Sequence, residues 1–260
     1  MSAPLIYLVL GPTGAGRRAV VADLVENGLE AADRAVLFTF KDELPAPDAV
    51  AEHLGRLPNL VRDTWELDAD GRLSASIGPG STHVFLVADG RADPAGQVEA
   101  VRDWLLAQKA AIARVITVVD CALGHAHPEL QAWHDACIHF SDIVLLGRRS
   151  GAPNAWVSDF AARLRKAHLP CLVELVKKDG VDNPALVLDP QARRISTVFD
   201  APDEWAGLEE DDEQTGELDA GEAAAGKEDP YLEKYPSGHR MKALPDIRKF
   251  LGQEGEETRV

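Results

Sequence analysis

The residues best suited to chemistry lie in a glycine-rich stretch near the start of the chain. GPTGAGRR, residues 11–18, follows the apolar run LIYLVL and precedes an amphipathic stretch. A glycine loop between a strand and a helix can wrap an anion, because its backbone N–H groups and the helix N-terminus converge. We therefore predict a phosphate-binding loop made of Gly11, Pro12, Thr13, Gly14, Ala15, Gly16, Arg17 and Arg18.

The last two residues of this loop depart from the GxxxxGK[ST] pattern of phosphate-binding loops. Arg17 keeps the positive charge of the usual lysine, but its planar guanidinium is longer and binds differently. Arg18 replaces the hydroxyl residue that ligates magnesium, and it has no lone pair to offer. The sequence therefore favours phosphate binding and argues against magnesium. A plain glycine turn with two surface arginines is the alternative.

Two aspartates are the candidate catalytic residues. Asp89 and Asp120 each end an apolar run, HVFLVAD and ARVITVVD. Ligands of open α/β sheets collect outside the carboxyl ends of the strands, so either carboxylate could serve magnesium or orient water. The alternative role for each is helix capping or a loop hydrogen bond.

Residues 124–139 hold four histidines and one cysteine. On a helix, His134 and Cys137 would share a face, and imidazole and thiolate suit zinc or nickel. The alternative is a helix whose Trp133, Cys137 and Phe140 pack inward. We favour the packed helix and assign no metal ligand. The three cysteines are widely spaced and form no CxxC pair, which argues against a disulfide framework or a zinc ribbon.

Alternating apolar and amphipathic stretches must position these residues. The apolar runs are rich in Val, Ile and Leu, as in strands that are buried on both faces. They occupy residues 5–10, 35–40, 83–89, 113–120, 142–147 and 171–176. Helices are predicted over residues 17–27, 95–109, 129–140 and 155–168, and β-hairpins over residues 61–77 and 185–200. This order predicts an α/β fold with a mostly parallel sheet covered on both sides.

The amino-acid composition changes after residue 202, where the sequence becomes acidic and poor in apolar residues, and again near residue 230, where apolar residues return. Residues 1–202 are predicted to form the domain, residues 203–229 a disordered acidic linker, and residues 230–260 a C-terminal motif. Within the motif, Leu244, Ile247 and Leu251 share one helical face. Docking of residues 230–251 on a protein partner is favoured over packing on the chain's own domain. The acidic linker could also visit Arg17 and Arg18 and compete with a nucleotide.

The overall charge restricts the classes of partner and the location. The 260 residues carry a formal net charge of -16. Such a surface repels phosphate backbones and anionic lipid head groups, so nucleic acid and membrane partners are not expected. The sequence shows no signal-peptide pattern and no apolar run of transmembrane length, from which we expect a cytoplasmic protein.

The motifs and their order resemble the CobW group of P-loop GTPases, relatives of UreG and HypB. LVLGPTGAGRR resembles the first strand and phosphate loop of that group, and VFLVADGRADP resembles its second motif. ARVITVVDCALG and HFSDIVLLGRRSG resemble the next strand and the strand before the base-recognition motif. The resemblance spans residues 4–176. It implies a P-loop NTPase-like three-layer sandwich that binds GTP or another nucleoside phosphate.

Three functional patterns of that group are altered here. GRRS, residues 147–150, replaces Asn-Lys-x-Asp, so Ser150 cannot offer the carboxylate that reads guanine. The glutamate expected near Val87 is absent, and residues 61–77 lack the cysteines of the Cys-x-Cys-Cys metal motif. The resemblance then implies a degenerate Walker A motif and a pseudo-GTPase: a hydrolysis-deficient protein that acts as a regulatory or assembly factor.

Three other functions remain open. One is a non-catalytic interaction scaffold that uses the P-loop fold and anchors through its C-terminal motif. A second is an ATP-dependent small-molecule kinase or transferase, although the missing magnesium hydroxyl argues against it. A dinucleotide-binding domain is the poorest option, because the glycines run GxxGxG and no acidic residue ends the second strand.

Overall fold

A mostly parallel sheet forms the centre of the molecule. The computed structural model describes residues 3–43, 48–178, 180–200 and 229–252. Its strands are β1 (Leu5–Leu10), β2 (Ala35–Phe40), β3 (Leu60–Leu67), β4 (Leu73–Ser74), β5 (His83–Val87), β6 (Ile112–Asp120), β7 (Ile143–Gly147), β8 (Leu172–Lys177) and β9 (Gly180–Val181). Its α-helices are α1 (Arg17–Gly28), α2 (Ala49–Arg56), α3 (Pro94–Gln108), α4 (Cys121–Ala126), α5 (Gln131–His139), α6 (Asn154–Lys166) and α7 (Pro184–Leu188).

The strand order places β1 in the middle of the sheet. Across the sheet the order is β4-β3-β2-β5-β1-β6-β7-β8-β9. The pairs from β3 to β8 are parallel, and only the short edge strands β4 and β9 pair antiparallel with their neighbours. Because parallel strands end at the same edge, the segments that follow β1, β2, β5, β6 and β7 meet at one edge of the sheet.

Helices cover both faces, so the molecule has three layers. Alternate residues of β1 show this directly: Tyr7 and Val9 pack with α1 on one face, whereas Ile6 and Leu8 pack with α3 and α5 on the other. The side chains of α6 pack on Val144 and Leu146 in a third cluster. The predicted α/β fold class is confirmed.

Most of the predicted elements are confirmed, with ends that agree with the prediction or shift by at most three residues. All six apolar runs form strands, and Pro94 occupies the first turn of α3 as its fixed φ favours. The hairpin predicted over residues 61–77 is the antiparallel pair of β3 and β4. None of the described helices is long and apolar enough to cross a membrane.

The hairpin predicted over residues 185–200 is wrong. Residues 184–188 form helix α7, which Asn183 caps by accepting a hydrogen bond from the Leu186 amide at 3.1 Å. Pro184 at the first helical position favours the same outcome. Val187 and Leu188 are buried in the cluster that contains α1. The capping residue and the proline therefore prevail over the β propensity of the apolar run.

The C-terminal segment, residues 229–252, packs on its own chain. Tyr231, Leu232 and Ile247 are buried in the core cluster that contains α3 and α5. The predicted amphipathic helix is wrong, because the only helical structure described there is a single 3-10 turn over Ile247–Lys249. The predicted linker lies outside the described residues except for Asp229, and the domain boundaries remain predictions.

Candidate functional site

The glycine loop joins β1 to α1 at the carboxyl edge of the sheet, as predicted. Gly11 has φ 132°, and a Cβ atom built there would lie 2.3 Å from the Val118 carbonyl oxygen on β6. A side chain would therefore collide with the neighbouring strand, and glycine is required. Gly16 is the N-cap of α1 and provides no side-chain cap to its first turn.

Several backbone N–H groups of the loop are free to bind an anion. The Thr13 amide donates to the Gly90 carbonyl oxygen at 3.2 Å, and the Ala15 amide donates to Pro12 at 3.1 Å. The amides of Gly14, Gly16, Arg17 and Arg18 have no hydrogen-bond acceptor anywhere in the described ranges. The amides at the start of α1 have no partner within the helix, and the helix dipole favours negative charge there.

Arg17 does not point into solvent but lies at the bottom of the loop. Only 5% of its side chain is exposed, and its guanidinium donates to the Ala88 carbonyl oxygen and to the Glu43 carboxylate. Burial lowers the pKa of Arg17 below its ordinary value, and the Glu43 charge opposes that change. The guanidinium keeps its proton, so Arg17 and Glu43 form a buried ion pair.

Glu43 connects three parts of the site. It ends a 3-10 turn over Lys41–Glu43 that directly follows β2. Its Oε1 also accepts a hydrogen bond from Thr13 Oγ1 at 2.6 Å, and its Oε2 accepts one from the Gly90 amide at 2.8 Å. The carboxylate therefore binds donors from the loop, from α1 and from the segment after β5.

Gly90 allows this close packing. A Cβ atom at Gly90 would lie 2.2 Å from the Thr13 nitrogen and 2.5 Å from Arg17 Nη2. Real Cβ atoms do not approach backbone this closely, so any other residue would separate the loop from β5. The arrangement of Thr13, Arg17, Glu43, Ala88 and Gly90 is called the loop floor below.

Arg18 lies in a more open setting. Its guanidinium pairs with Asp48 at 2.6 Å, with the two side chains 21% and 40% exposed. Asp48 is also the N-cap of α2, where it accepts from the Ala51 amide at 2.6 Å. The Arg18 hydrogen bond and this backbone bond lower the pKa of Asp48. Arg18 is therefore engaged with a carboxylate at the edge of the loop.

The two candidate aspartates are both occupied by local partners. Asp120 is buried; its Oδ1 accepts from the Leu123 amide at the start of α4, and its Oδ2 pairs with Arg148 at 3.0 Å. Asp89 accepts from the amide and the Nε of Arg91 at 3.0 and 3.2 Å. Asp120 lies in the same cavity as Thr13 and Gly14, whereas Asp89 lies in a different cavity beside the C-terminal segment. Their catalytic roles remain predictions.

Among the described residues, cavities open over the loop and on either side of it. A cavity of about 340 Å³ lies over residues 13–19 and is bounded by Thr39, Glu43 and Asp48. One of about 460 Å³ runs beside α1 to the ends of β7 and β8, where Gly147, Arg148, Lys177 and Lys178 line it. The third, of about 610 Å³, lies between Thr13, Gly14, Asp120 and the C-terminal residues Arg248 and Leu251.

The segment at the end of β7, residues 147–150, carries two arginines and no carboxylate. Arg148 takes a left-handed conformation with φ 46° and starts the 3-10 turn over Arg149–Gly151. Its Nη1 is within 3.4 Å of the Gly14 carbonyl oxygen as well as bonded to Asp120. Arg148 thus lies beside the loop, between the cavities of 460 and 610 Å³.

His134 and Cys137 belong to the packed core of α5. Trp133, Cys137 and Phe140 are all buried, which confirms the inward-packed helix. Burial lowers the pKa of His134 to about 4 and raises the pKa of the Cys137 thiol well above its ordinary value. The described ranges contain no group of three or more His, Cys, Asp or Glu that could hold a metal ion.

The partner predicted for residues 230–251 remains a prediction, but the surface available to it is now defined. The buried side chains of this segment face the chain's own core, whereas Tyr235 and Met241 are 51% and 47% exposed. A partner would therefore contact these outward side chains rather than Ile247.

Sequence reasoning missed two parts of the site. Glu43 lies 26 residues from Arg17, and the segment that carries it matches no phosphate-loop pattern. Its only sequence signal is its position after a strand that ends at the carboxyl edge. Arg248 and Leu251 reach the loop cavity through the folding of the C-terminal segment, which no local pattern predicts.

Comparisons with known proteins give distant structural likenesses. A zinc-bound triple mutant of YjiA GTPase is 14% identical with a TM-score of 0.46, and zinc-bound YjiA GTPase from E. coli is 15% identical with a TM-score of 0.44; each alignment covers 74% of this chain and 67% of the other. The signal recognition particle receptor FtsY from Elizabethkingia anophelis, in complex with GDP, is 14% identical with a TM-score of 0.43, over 78% of this chain and 66% of that one. No protein-family model matches the chain, and no curated protein does. Likenesses this distant assign neither a ligand nor an activity to this chain.

Proposed function

We propose that this protein binds a nucleoside phosphate at the glycine loop, does not hydrolyse it effectively, and acts as a regulatory or assembly factor. The observation that carries the proposal is the set of amides of Gly14, Gly16, Arg17 and Arg18, which have no acceptor among the described residues. They lie at the N-terminus of α1 beside a cavity of about 340 Å³. Converging N–H groups at a helix N-terminus are an anion-binding arrangement.

The neighbouring cavity suits the nucleoside half of such a ligand. The 460 Å³ cavity begins at Gly16 and Ala19 and extends to the ends of β7 and β8. Its volume lies within the range of small-molecule sites. Ser150 offers no carboxylate to read guanine, so the proposal covers GTP-type and ATP-type ligands and leaves the choice of base to the experiment.

The proposed lack of hydrolysis rests on the missing magnesium ligand. The side chain at position 18 is an arginine paired with Asp48, and its charge would repel a divalent cation. The two candidate substitutes are both engaged, since Asp89 is bonded to Arg91 and Asp120 is paired with Arg148. Phosphoryl transfer in P-loop proteins depends on a metal that bridges the outer phosphates.

Melting temperature with and without nucleotide tests binding. Purified protein is mixed with GDP, GTP, ADP, ATP or NAD, each with magnesium or with EDTA. A ligand at 100 times its dissociation constant adds about 2.7 kcal/mol to the free energy of unfolding, which raises the melting temperature. A rise that does not require magnesium is expected for at least one nucleoside phosphate. Turnover of ATP with an acceptor would instead indicate a kinase or transferase.

A matched pair of variants tests the location. Ala19 is exposed in the first turn of α1 and lines the cavities over and beside the loop. Ala19→Asp adds negative charge there, which favours the helix N-terminus but repels phosphate. Ala155→Asp makes the same change at an exposed position in the first turn of α6. Loss of the melting shift in Ala19→Asp alone is expected; equal shifts in both variants would contradict the location.

The interaction scaffold is the second candidate, and one observation favours it. The Arg17 charge is already neutralised by Glu43, so the loop floor is complete without a ligand. A scaffold predicts no melting shift with any nucleotide under any condition. It also predicts that Ala19→Asp alters only the stability of the protein, through its effect on helix α1, and changes no response to nucleotide.

A further inference from the structure

The loop floor already contains an anion that belongs to the chain. The Glu43 carboxylate is only 10% exposed and accepts from three donors: Thr13 Oγ1, the Arg17 guanidinium and the Gly90 amide. A hydroxyl, a cation and a backbone N–H that converge on two oxygens are the contacts by which proteins hold a phosphate. Glu43 therefore occupies an anion-binding position next to the loop, formed by Thr13, Arg17 and Gly90.

The position it fills is defined by Arg17. In phosphate-binding loops the backbone amides cradle the phosphates, while the side chain at this position reaches the β- and γ-phosphates. Here the amides of Gly14, Gly16 and Arg18 have no acceptor within the described part of the chain, whereas the Arg17 guanidinium is bonded to Glu43 and Ala88. The backbone groups that cradle the phosphates are open, whereas the cation that would reach the β- and γ-phosphates is occupied.

We propose that the Glu43 carboxylate takes the place of a terminal phosphate, so that the loop accepts a nucleoside diphosphate and excludes the triphosphate. This rests on the proposed function, because it assumes that a nucleoside phosphate binds at the loop. A third phosphate would have to lie against the carboxylate or displace it. Two like charges at contact distance in a partly buried site repel strongly, and displacement would strip a buried guanidinium of its partner.

A carboxylate in the terminal position also accounts for the departure from the usual motif at position 18. With the terminal position filled by a carboxylate, no phosphoryl group is available for transfer. Without phosphoryl transfer, no magnesium ligand is needed at position 18. An arginine can therefore occupy this position and pair with Asp48. The chain is expected to remain in one nucleotide state rather than to cycle between two.

Calorimetric titration of the full chain with GDP, GTP, ADP and ATP in EDTA tests the inference. We expect the diphosphate of the preferred base to bind at least about 10-fold more tightly than its triphosphate. Glu43→Gln keeps the shape of the side chain and removes its charge, so the preference should fall to within about 3-fold. Equal affinities in the unmodified chain, or an unchanged preference in folded Glu43→Gln, would overturn it.

Two further variants keep the result interpretable. Glu43→Asp retains the charge that neutralises Arg17 but withdraws the carboxylate by one methylene, so it protects the fold and should weaken the preference partially. Glu66→Gln removes a carboxylate that pairs with Lys41 near the same edge, where both side chains are 47% exposed. It should leave the preference unchanged. If neither the unmodified chain nor any variant binds a nucleotide, the proposed function itself fails, whereas equal binding of di- and triphosphates defeats only the inference.

Discussion

Two consecutive arginines of the same loop lie in opposite environments. Arg17 is 5% exposed and its partner Glu43 is 10% exposed, whereas Arg18 and its partner Asp48 are 21% and 40% exposed. Both pairs join the first turn of α1 to a carboxylate that follows β2 along the chain. The first pair belongs to the loop floor, and the second lies at the loop rim, defined here as Arg18 and Asp48.

Because both pairs join an arginine to a carboxylate, burial is the difference that should decide how much each pair contributes to stability. A buried charge that loses its partner has neither water nor a counter-ion, so its desolvation is uncompensated. An exposed charge that loses its partner is simply hydrated. The floor pair should therefore determine whether the loop keeps its shape, while the rim pair should be dispensable.

The largest effect is expected from Arg17→Met. It removes the guanidinium, keeps most of the side-chain length, and leaves the Glu43 carboxylate buried without its cation. We expect a loss of about 3–5 kcal/mol in the free energy of unfolding. Urea denaturation at pH 7, followed by circular dichroism, measures this loss.

The double variant Arg17→Met with Glu43→Gln separates a charge effect from a packing effect. It removes both charges, and the glutamine side-chain oxygen can still accept from the Gly90 amide, so no buried ion is left uncompensated and most of the stability should return. A double variant as unstable as Arg17→Met would show that shape, not charge, holds the floor together.

The same contrast explains which parts of the site could be predicted from the sequence. Gly11 and the order of strand, loop and helix are local, so the pattern of residues 5–28 was sufficient to place the loop. Glu43 was not predictable, because its role depends on the pairing of β2 with β5, and of β5 with β1, which brings distant segments together. The helix predicted in the C-terminal segment is wrong for a related reason. The spacing of its apolar residues indicates a helix, but the burial of Tyr231 and Ile247 in the core holds the segment in an irregular conformation.

A second prediction compares the buried Arg17–Glu43 pair with the buried imidazole of His134, which forms no ion pair among the described residues. His134 is 1% exposed and its Nε2 has no hydrogen-bond partner among the described residues. Burial lowers its pKa from 6.5 to about 4, with Asp135 opposing the change. Between these values the unfolded chain binds a proton and the folded chain does not, so stability falls as the pH falls through this window. The loss approaches roughly 3 kcal/mol.

The measurement is urea unfolding at several pH values from 7 to 4. His134→Gln should remove most of the decline between pH 6.5 and 5, above the range in which carboxylates with a lowered folded pKa, such as Asp48 and Glu99, lose their contribution. His239→Gln, at an exposed position, should leave the decline in place. A decline of the same size in His134→Gln would assign the pH dependence to other groups.

A third prediction concerns the C-terminal segment, which combines buried and exposed side chains. Ile247 is 1% exposed in the core cluster, whereas Met241 is 47% exposed. Ile247→Val removes one buried methylene and should cost about 1 kcal/mol of unfolding free energy. Met241→Ala should cost less than half as much. Equal and negligible effects would mean that the segment does not pack on the core in solution, and that the docking on a partner predicted from the sequence describes it better.

The smallest effect is expected from Arg18→Met, which repeats the substitution made at Arg17 one residue along the helix. Its partner Asp48 keeps the bond to the Ala51 amide, so the cap of α2 survives the change. Exposed ion pairs contribute about 0–1 kcal/mol and are screened by salt, so the loss should stay below about 1 kcal/mol and disappear in 1 M NaCl. The loss caused by Arg17→Met should persist in the same salt, because ions do not reach the floor. Equal losses of unfolding free energy in Arg17→Met and Arg18→Met, or an equal response of the two variants to salt, would contradict this prediction. Such a result would show that water and ions reach the loop floor, so that Glu43 is no better shielded from solvent than Asp48.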